Sequence, residues 1–521
     1  MIGRIFTVGG LTLLSRLTGF ARDILLAAVL GAGPVADAFF VAWRLPNHFR
    51  AIFAEGAFNA AFVPAYARIR STGGIGPAQA FADRIFVLLF ASQLLLLVIA
   101  LGFTPAVISV LAPGFFKDAE RFTLAVELTR ITFPYLLLIT LVTLYGGILN
   151  AVQRFASAAS APILLNLTMM ATLALTPSFS SAGHAAAWGV LVAGVLQVLL
   201  VGGDTLRNGV LPKFGAWRWD ADVKRFFAAL GPAVVGSAGL QIALFADTII
   251  ASFLSAGALS ALYYADRLNQ LPIGVLGIAA GTVVLPEMAS RIAAGDEAGA
   301  AHAQNRAIEL TLLLAIPCIA AFLLVPELLM RVLFVRGAFT AANAVAAGET
   351  LAAYALGLLP FVLVRTVTAT FLARSDTATP VRAALIGAAF NVAFKFLFYF
   401  ATPLAQVGLA LATTIGAWLN FALVLWFAGR RGLIHFDRGL AHSLECLVIA
   451  GAGLGLVLAL TRRPIAVLFA DLPRWGDAAA LVALAVISAL VYGGLLVAFF
   501  GPQWQAVLRR RTDSPRLSTD K

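Results

Sequence analysis

The sequence predicts an all-α polytopic membrane protein with about 14 transmembrane helices, arranged as two parallel six-helix lobes plus two C-terminal helices. Three observations predict this class. The 521 residues are 61% hydrophobic and 12% charged, whereas soluble proteins are about half apolar and a quarter charged. Apolar runs of roughly 20 residues recur along the chain, and part of the pattern repeats after about 220 residues.

The apolar runs are interpreted as helices because membrane barrels alternate apolar and polar positions in short strands, and these runs do not. The first run continues past any cleavage site, so it is interpreted as a helix and not as a signal peptide. The predicted spans lie near residues 5–30, 35–66, 82–105, 122–149, 157–177, 184–203, 224–254, 260–286, 303–326, 343–372, 380–401, 404–428, 440–461 and 477–500.

Arginine and lysine concentrate in alternate loops, whereas the intervening loops, such as "GAGPVAD" and "SFSSAGH", are nearly neutral. The positive-inside rule therefore predicts that both termini lie in the cytoplasm. The basic loops and the tail hold Arg68, Arg70, Arg84, Arg154, Arg207, Lys213, Arg218, Lys224, Arg225, Arg374, Arg382, Arg430, Arg431, Arg438 and the run Arg509 to Arg511. Four arginines fall on the opposite side and stay unexplained by the sequence: Arg331, Arg336, Arg462 and Arg463.

An internal repeat relates the two halves of the chain. The segment "FARDILLAAVLGAG" at 20–33 resembles "LFADTIIASFLSAG" at 244–257, which places Asp23 over Asp247. Both copies run in the same direction, as in transporters whose binding site lies between two halves. The repeat predicts an N-lobe at 1–205, a C-lobe at 206–432, two further helices at 433–505 and a cytoplasmic tail at 506–521.

The first predicted helix contains three charges in the stretch "SRLTGFARDILLAAVLGAG". The second half has Leu240 and Ala246 where the first has Arg16 and Arg22, so the fold itself does not require arginine there. An arginine at the bilayer centre costs roughly 2.5–3.5 kcal/mol and normally faces an aqueous cavity or a partner. The alternative is a structural ion pair of Arg16 or Arg22 with Asp23, although it leaves one arginine unpaired.

Two further arginines lie in predicted spans. Arg50 follows Pro46 in a run too long for one straight crossing, and Pro46 and Gly56 are expected to bend it. Arg267 lies in "YYADRL" of the eighth helix. A snorkelling Arg50 and an Asp266–Arg267 pair are the structural alternatives.

These four arginines come from three helices and from both halves, so one cationic cavity is their simplest common cause. Guanidinium groups favour bidentate binding of phosphate oxygens. The sequence therefore predicts an anionic ligand, a phosphate or a pyrophosphate.

The motifs that hold these residues resemble those of the MurJ/MviN family of lipid II flippases, in the superfamily that includes MATE exporters. The matching stretches are "SRLTGFARD", "GAGPVADAFFVAWRLPNHFRAIFAEGAFNAAFVPAYA" and "YYADRLNQLPIGVLGIAAGTVVLPE", and the resemblance covers essentially the whole chain. It implies two lobes around a central cavity, a groove for the lipid tail formed by the last two helices, and alternating access. The substrate-binding residues that the resemblance implies are Arg16, Arg22, Arg50, Arg267, Asp37 and Glu55.

The resemblance also implies the setting of the protein. We expect a monomer in the bacterial inner membrane that translocates lipid II, the undecaprenyl-pyrophosphate-linked peptidoglycan precursor, to the periplasmic leaflet. We expect no cofactor, no metal and no nucleic acid, a driving force from an ion gradient or the membrane potential, and cell-wall synthesis proteins as candidate partners.

One departure from the family concerns the coupling ion. Some members are expected to hold sodium with carboxylates in the second lobe, and Lys395 stands here where such a member has an acidic residue. The hypothesis is that Lys395 approaches Asp247, near Asn391, with its ammonium in place of a bound cation. The alternative is a snorkelling lysine, and sodium dependence stays open.

Other functions fit the sequence less well. A drug or cation antiporter calls for an acidic cavity, whereas a flippase for another polyprenyl-linked oligosaccharide shares the pyrophosphate and stays open. The chain is not expected to be an enzyme, because no Walker motif is present and the histidines and cysteines show no ligand spacing. These residues are His48, His184, His302, His435, His442, Cys318 and Cys446.

Overall fold

The computed structural model describes residues 2–50, 57–215, 218–279, 284–472 and 475–512. Over these ranges the chain forms nineteen α-helices and short 3₁₀ turns, and it contains no β-strand beyond an isolated bridge between Arg336 and Phe339. The predicted all-α membrane class is confirmed.

The first ten helices cover the N-terminal part of the chain. The predicted run at 35–66 forms two helices, α2 and α3, and Gly56, one of the two predicted bend points, lies outside the described residues. Short 3₁₀ helices occupy Pro113–Lys117 and Thr176–Ser178. The bounds are α1 Ile2–Leu30, α2 Pro34–Arg50, α3 Ala57–Gly73, α4 Ile75–Gly102, α5 Thr104–Leu111, α6 Ala119–Thr132, α7 Tyr135–Ala151, α8 Ala156–Ala174, α9 Ala182–Arg207 and α10 Ala221–Ser252.

The remaining nine helices comprise seven long helices and two short amphipathic ones. Helices α12 and α14 are only nine residues long and carry charged residues on one side. The bounds are α11 Ala258–Ala279, α12 Leu285–Ala293, α13 Glu297–Leu324, α14 Pro326–Phe334, α15 Ala341–Leu372, α16 Ala378–Ala401, α17 Ala405–Arg430, α18 Arg438–Leu468 and α19 Gly476–Thr512.

Ten segments of the described chain are long and apolar enough to cross a membrane. They coincide with ten of the predicted spans. The other four predicted spans correspond to α1, the α2–α3 region, α10 and α11, and among the described residues they hold the candidate charged residues except Lys395 of α16. The count of about 14 spans therefore stays a prediction.

The chain divides into two compact units. The first comprises Met1–Arg267, Leu333–Ala347 and Ala388–Ala412, and the second comprises Leu268–Val332, Gly348–Gly387 and Thr413–Lys521. The first unit extends beyond the N-terminal half of the sequence because α10 packs against α3, α4 and α5. The lobe boundaries derived from the repeat stay a prediction.

In the first unit, α1 ends in a turn that requires glycine. Gly31 has a φ of +67°, the left-handed conformation that ends many helices, and its N–H bonds to the Ala27 carbonyl. A Cβ at Gly31 would lie 2.6 Å from the Ala338 carbonyl oxygen, while the Ala338 N–H donates to the Ala28 carbonyl at 2.7 Å. The turn after α1 is therefore fixed both by its own conformation and by close backbone packing.

In the second unit, the core is formed by α13, α18 and α19. Leu312, Leu447, Leu454 and Leu484 are buried in one apolar cluster, and the Tyr492 hydroxyl donates to the Leu313 carbonyl. The only polar atom that Tyr492 brings into this packing is thereby satisfied, which suits a helix pair immersed in hydrocarbon. The two last helices consequently have an apolar core of their own with α13.

We predict that Gly31→Ala lowers the free energy of unfolding by roughly 1–3 kcal/mol, because alanine is strained at positive φ and its methyl group collides with the Ala338 carbonyl. The midpoint of thermal unfolding of the detergent-purified protein measures the effect. Gly33→Ala is the matched control, since a Cβ at Gly33 meets no atom within 4 Å. Equal midpoints for the two variants would contradict this account of the turn.

Candidate functional site

Arg22 and Asp23 form a buried ion pair on α1. Asp23 Oδ1 accepts hydrogen bonds from Arg22 Nη2 at 2.7 Å and from Arg22 Nε at 3.1 Å, and both residues are less than a tenth exposed. The adjacent side chains start about 100° apart on the helix, and the length of the arginine lets it fold back. The structural ion pair, considered above as an alternative, is present for Arg22.

Arg267 on α11 reaches the same carboxylate. Arg267 Nε lies 3.5 Å from Asp23 Oδ2, and its guanidinium lies 4.8 Å from the centre of the Tyr263 ring, one turn earlier on α11. The Tyr263 hydroxyl donates to Asp23 Oδ1 at 3.2 Å. Two of the four predicted arginines therefore meet at one carboxylate.

The sequence analysis did not identify Asn166 of α8, which completes this cluster. Its Oδ1 accepts from Arg22 Nη1 at 3.0 Å, and its Nδ2 donates to the Ser15 carbonyl and to Thr18 Oγ1. A Cβ at Gly19 would lie 3.4 Å from Asn166 Nδ2, so the glycine gives the amide room against α1. A buried amide in an apolar span, opposite a helical glycine, was the available signal.

Arg16 is not part of this cluster. Arg16 is exposed on α1 and makes no hydrogen bond or ion pair with any described residue. It lies six residues before Arg22, about 9 Å along the helix axis. Arg50 is the last residue of α2 and its side chain is not described, and Glu55 lies outside the described residues.

Asp37 of α2 is fully buried and is held at the start of α11. Its carboxylate accepts from the Gly257 N–H at 2.8 Å, from the Ser260 N–H at 2.9 Å and from the Ser260 hydroxyl at 2.5 Å. A carboxylate at a helix N-terminus is stabilised by the free N–H groups and by the helix dipole. In this conformation Asp37 therefore positions α11, and its contact with substrate stays a prediction.

Arg121 of α6, which the sequence analysis also missed, lies at the end of α10. Its Nη2 donates to the Ser252 carbonyl at 3.1 Å, its Nη1 lies 3.9 Å from Asp37 Oδ2, and its guanidinium lies 4.0 Å from the centre of the Phe115 ring. A cation at a helix C-terminus is favourable for the same electrostatic reason. The turn between α10 and α11 is thus held by a cation on its incoming helix and an anion on its outgoing helix.

Lys395 of α16 forms the predicted ion pair with Asp247 of α10. The Lys395 ammonium is completely buried and lies 2.7 Å from Asp247 Oδ1. Asn391 stands one helical turn before Lys395, and its buried Oδ1 has no hydrogen-bond partner among the described residues. The predicted approach is confirmed, whereas a role in ion coupling stays a prediction.

The second unit contains an apolar groove of about 580 Å³ between α13, α15, α17 and α18. Its lining consists of apolar side chains and glycines, among them Leu312, Leu363, Phe421, Gly451 and Gly455. The glycines of α18 leave room where side chains would otherwise fill the groove. Such a groove suits an acyl or prenyl chain better than a polar ligand.

Two of the four unexplained arginines have structural partners in the second unit. Arg331 pairs with Asp477 at 2.9 Å and with Glu327 at 3.6 Å, which links α14 to α19. Arg462 donates to the Leu324 carbonyl at the end of α13. Among the described residues, no group of three or more histidine, cysteine or acidic side chains is arranged to hold a metal ion.

Comparisons with known proteins agree on one family. The family model "Lipid II flippase MurJ" matches residues 26–470. The "Probable lipid II flippase MurJ" of Rhizobium tropici is 41% identical over 463 residues, which cover 88% of this chain and 86% of that protein. The "Lipid II flippase MurJ" of Burkholderia cenocepacia is 35% identical over 460 residues, 87% of this chain and 88% of that protein.

Solved structures show the same fold. The structure titled "Lipid II flippase MurJ, inward closed conformation" has a TM-score of 0.80 at 23% identity and covers 95% of this chain and 99% of its own. An inward-facing multidrug resistance MATE family transporter has a TM-score of 0.69 at 15% identity, with 82% and 98% covered.

We predict that Asp37→Ala lowers the free energy of unfolding by roughly 3–5 kcal/mol, because it leaves Arg121 buried without its carboxylate and two N–H groups of α11 unsatisfied. Asp37→Asn should lose less, since its amide oxygen still accepts from Ser260. Thermal unfolding of the purified variants measures this order. If the alanine variant were as stable as the wild type, the carboxylate would not be holding α11.

Proposed function

The chain belongs to the MurJ family of lipid II flippases, and we propose that it translocates lipid II across the bacterial inner membrane from the cytoplasmic to the periplasmic leaflet. Family membership establishes a multi-pass membrane transporter. The substrate, the residues that bind it and the way the cycle is driven are our proposal.

One observation supports the substrate assignment above the others: Arg22 and Arg267 converge from two helices on a single carboxylate. Lipid II carries a pyrophosphate, whose oxygens match the bidentate edges of guanidinium groups. A cationic drug would be repelled by the same cluster. Arg16, Arg50, Asp37 and Glu55 complete the proposed set of substrate-binding residues.

The contacts of Asp37 and Arg121 support an alternating-access cycle. Both residues tie the turn between α10 and α11 to helices of the N-terminal half of the sequence. Opening on this side requires the bonds to the turn to break, whereas the ion pair of Asp37 and Arg121, 3.9 Å apart, can stay intact. Neither charge is then left unpaired in either state. With both termini in the cytoplasm, this side faces the periplasm.

The apolar groove supports a place for the prenyl tail. Its lining offers no hydrogen-bond partner. The groove can therefore hold the apolar tail away from polar surroundings, and it does not compete with the arginines for the headgroup. In the proposed arrangement the headgroup crosses between an N-lobe at 1–205 and a C-lobe at 206–432, while the helices at 433–505 hold the tail. The protein acts as a monomer, with cell-wall synthesis proteins as partners.

The Lys395–Asp247 pair supports a cycle that does not depend on a sodium ion at this position. An ammonium 2.7 Å from the carboxylate supplies the positive charge that a bound cation would bring. The membrane potential acting on charged groups can then contribute to the driving force.

We predict that Arg22→Ala and Arg267→Ala abolish support of growth in cells depleted of their own flippase, because each removes one guanidinium of the proposed pyrophosphate site. Lipid II should accumulate on the inner leaflet, measured by its accessibility to an external enzyme or probe. Arg68→Ala is the matched control, since Arg68 pairs with Asp222 at a partly exposed position. Near-normal growth of both cluster variants would rule out the proposed site.

We predict that Lys395→Ala converts the protein into one that depends on an added cation, because Asp247 then loses its tethered positive charge. Flipping of labelled lipid II by the variant in proteoliposomes should fall at least tenfold, a loss equivalent to about 1.4 kcal/mol. It should recover partly with sodium or ethylammonium ions. Lys117→Ala, at an exposed position, is the control. If the variant loses activity and regains none with either cation, the proposal that the Lys395 ammonium takes the place of a bound cation would be contradicted.

A further inference from the structure

Asp23 bridges the two arginines of the proposed site. Its Oδ1 accepts from Arg22 Nε, Arg22 Nη2 and the Tyr263 hydroxyl, and its Oδ2 lies 3.5 Å from Arg267 Nε. The carboxylate uses the Nε–Nη2 edge of Arg22, one of the edges that also receives phosphate oxygens in bidentate pairs. Asp23 therefore already occupies a position that suits a phosphate group.

The carboxylate satisfies the two arginines unequally. Arg22 receives two hydrogen bonds from it, whereas the buried Nε of Arg267 has no hydrogen-bond partner among the described residues despite its proximity to Asp23. In this conformation the carboxylate gives good acceptor geometry to Arg22 and not to the Nε of Arg267. A pyrophosphate, with more oxygens spread over two phosphorus centres, can serve both.

Asn166 holds Arg22 independently of Asp23. It binds Arg22 Nη1 and is itself fixed by the Ser15 carbonyl and Thr18 Oγ1 on α1. Of the five N–H groups of the guanidinium, Asp23 takes two and Asn166 takes one. If Asp23 turned away, Arg22 would stay in place with the Nε–Nη2 edge free.

Tyr263 plays the same supporting part for Arg267. Its ring lies under the guanidinium and stacks on Phe40 with the ring centres 3.9 Å apart. The ring contact does not involve Asp23, so Arg267 also keeps a support when the carboxylate leaves.

We propose that Asp23 is an internal stand-in for the substrate phosphate: it neutralises Arg22 and Arg267 in the empty carrier, and substrate binding exchanges Asp23 for the pyrophosphate. This inference rests on the proposed function. The proposal gives Asp23 a regulatory role. While Asp23 bridges the two arginines, the empty carrier can close without two unpaired buried cations. When substrate displaces Asp23, the loss of this bridge signals that substrate is bound.

The test is Asp23→Asn in the purified full-length protein, with inorganic pyrophosphate as the probe and calorimetry as the measurement. Removing the competing anion should tighten pyrophosphate binding by about tenfold, the effect of losing one charge-assisted competitor. Lipid II flipping in proteoliposomes should fall at the same time, because the empty carrier can no longer neutralise its arginines. Asp222→Asn, which breaks the Arg68–Asp222 pair, is the control and should leave both readings unchanged.

Unchanged or weaker pyrophosphate binding by Asp23→Asn would overturn the proposal, because a purely structural Asp23 holds the arginines in place and its loss weakens the site. If this variant does not fold, Tyr263→Phe decides. It keeps the ring under Arg267 but removes one donor to Asp23, so binding should tighten by roughly two- to threefold, and no tightening would count against the proposal. Arg22→Ala separates the proposed pyrophosphate site from the proposed role of Asp23. This variant should lose pyrophosphate binding, and normal binding would contradict the proposed function itself.

Discussion

A single carboxylate in the apolar interior, Asp23, controls the electrostatics of the proposed site. Two arginines at membrane depth are expensive unless their charges are compensated, and the first unit compensates them with this carboxylate, one asparagine and one aromatic ring. The compensation is incomplete, because the buried Nε of Arg267 has no hydrogen-bond partner among the described residues. A site of this kind is stable enough to fold and still attracts a more highly charged anion.

The same requirement explains the turn between α10 and α11. Here the buried charges Asp37 and Arg121 are compensated by helix ends, since the N–H groups of α11 face the carboxylate and a terminal carbonyl of α10 faces the guanidinium. Helix ends are the only places in a membrane bundle where the backbone has free polar groups to offer. The two buried charges that hold this turn therefore lie where helix ends supply partners.

The sequence was sufficient to predict the helical class, ten of the spans and two arginines that meet in one cluster. Arg22 and Arg267 stand out because a charge is costly in an apolar run, and Lys395 and Asp247 stand out for the same reason. The partners of the two arginines were not predicted, although Asn166 offered a signal as an amide in an apolar span, whereas Tyr263 carries no charge. Their role depends on which helices pack together, a property that no local pattern contains.

The predictions for Lys395 and for Asp37 had different outcomes. The approach of Lys395 to Asp247 was predicted from a departure from the family, because a lysine stands where a sodium-binding member has an acidic residue, and the structure confirms it. Asp37 was predicted as a substrate ligand on resemblance alone, and its three donors from α11 became visible only in the structure. A charge in an apolar run identifies a residue that needs a partner. Only the packing of the helices shows whether that residue is free to bind substrate or supports a neighbouring helix.

The two equivalent acidic residues of the repeat have different cationic partners. Asp23 pairs with two arginines, and Asp247 pairs with a completely buried lysine. A lysine is a compact point charge with no flat edge to share with a second anion, so its pair is suited to stay closed. In the proposed mechanism, the arginines therefore make the position of Asp23 exchangeable, while the lysine keeps the position of Asp247 fixed.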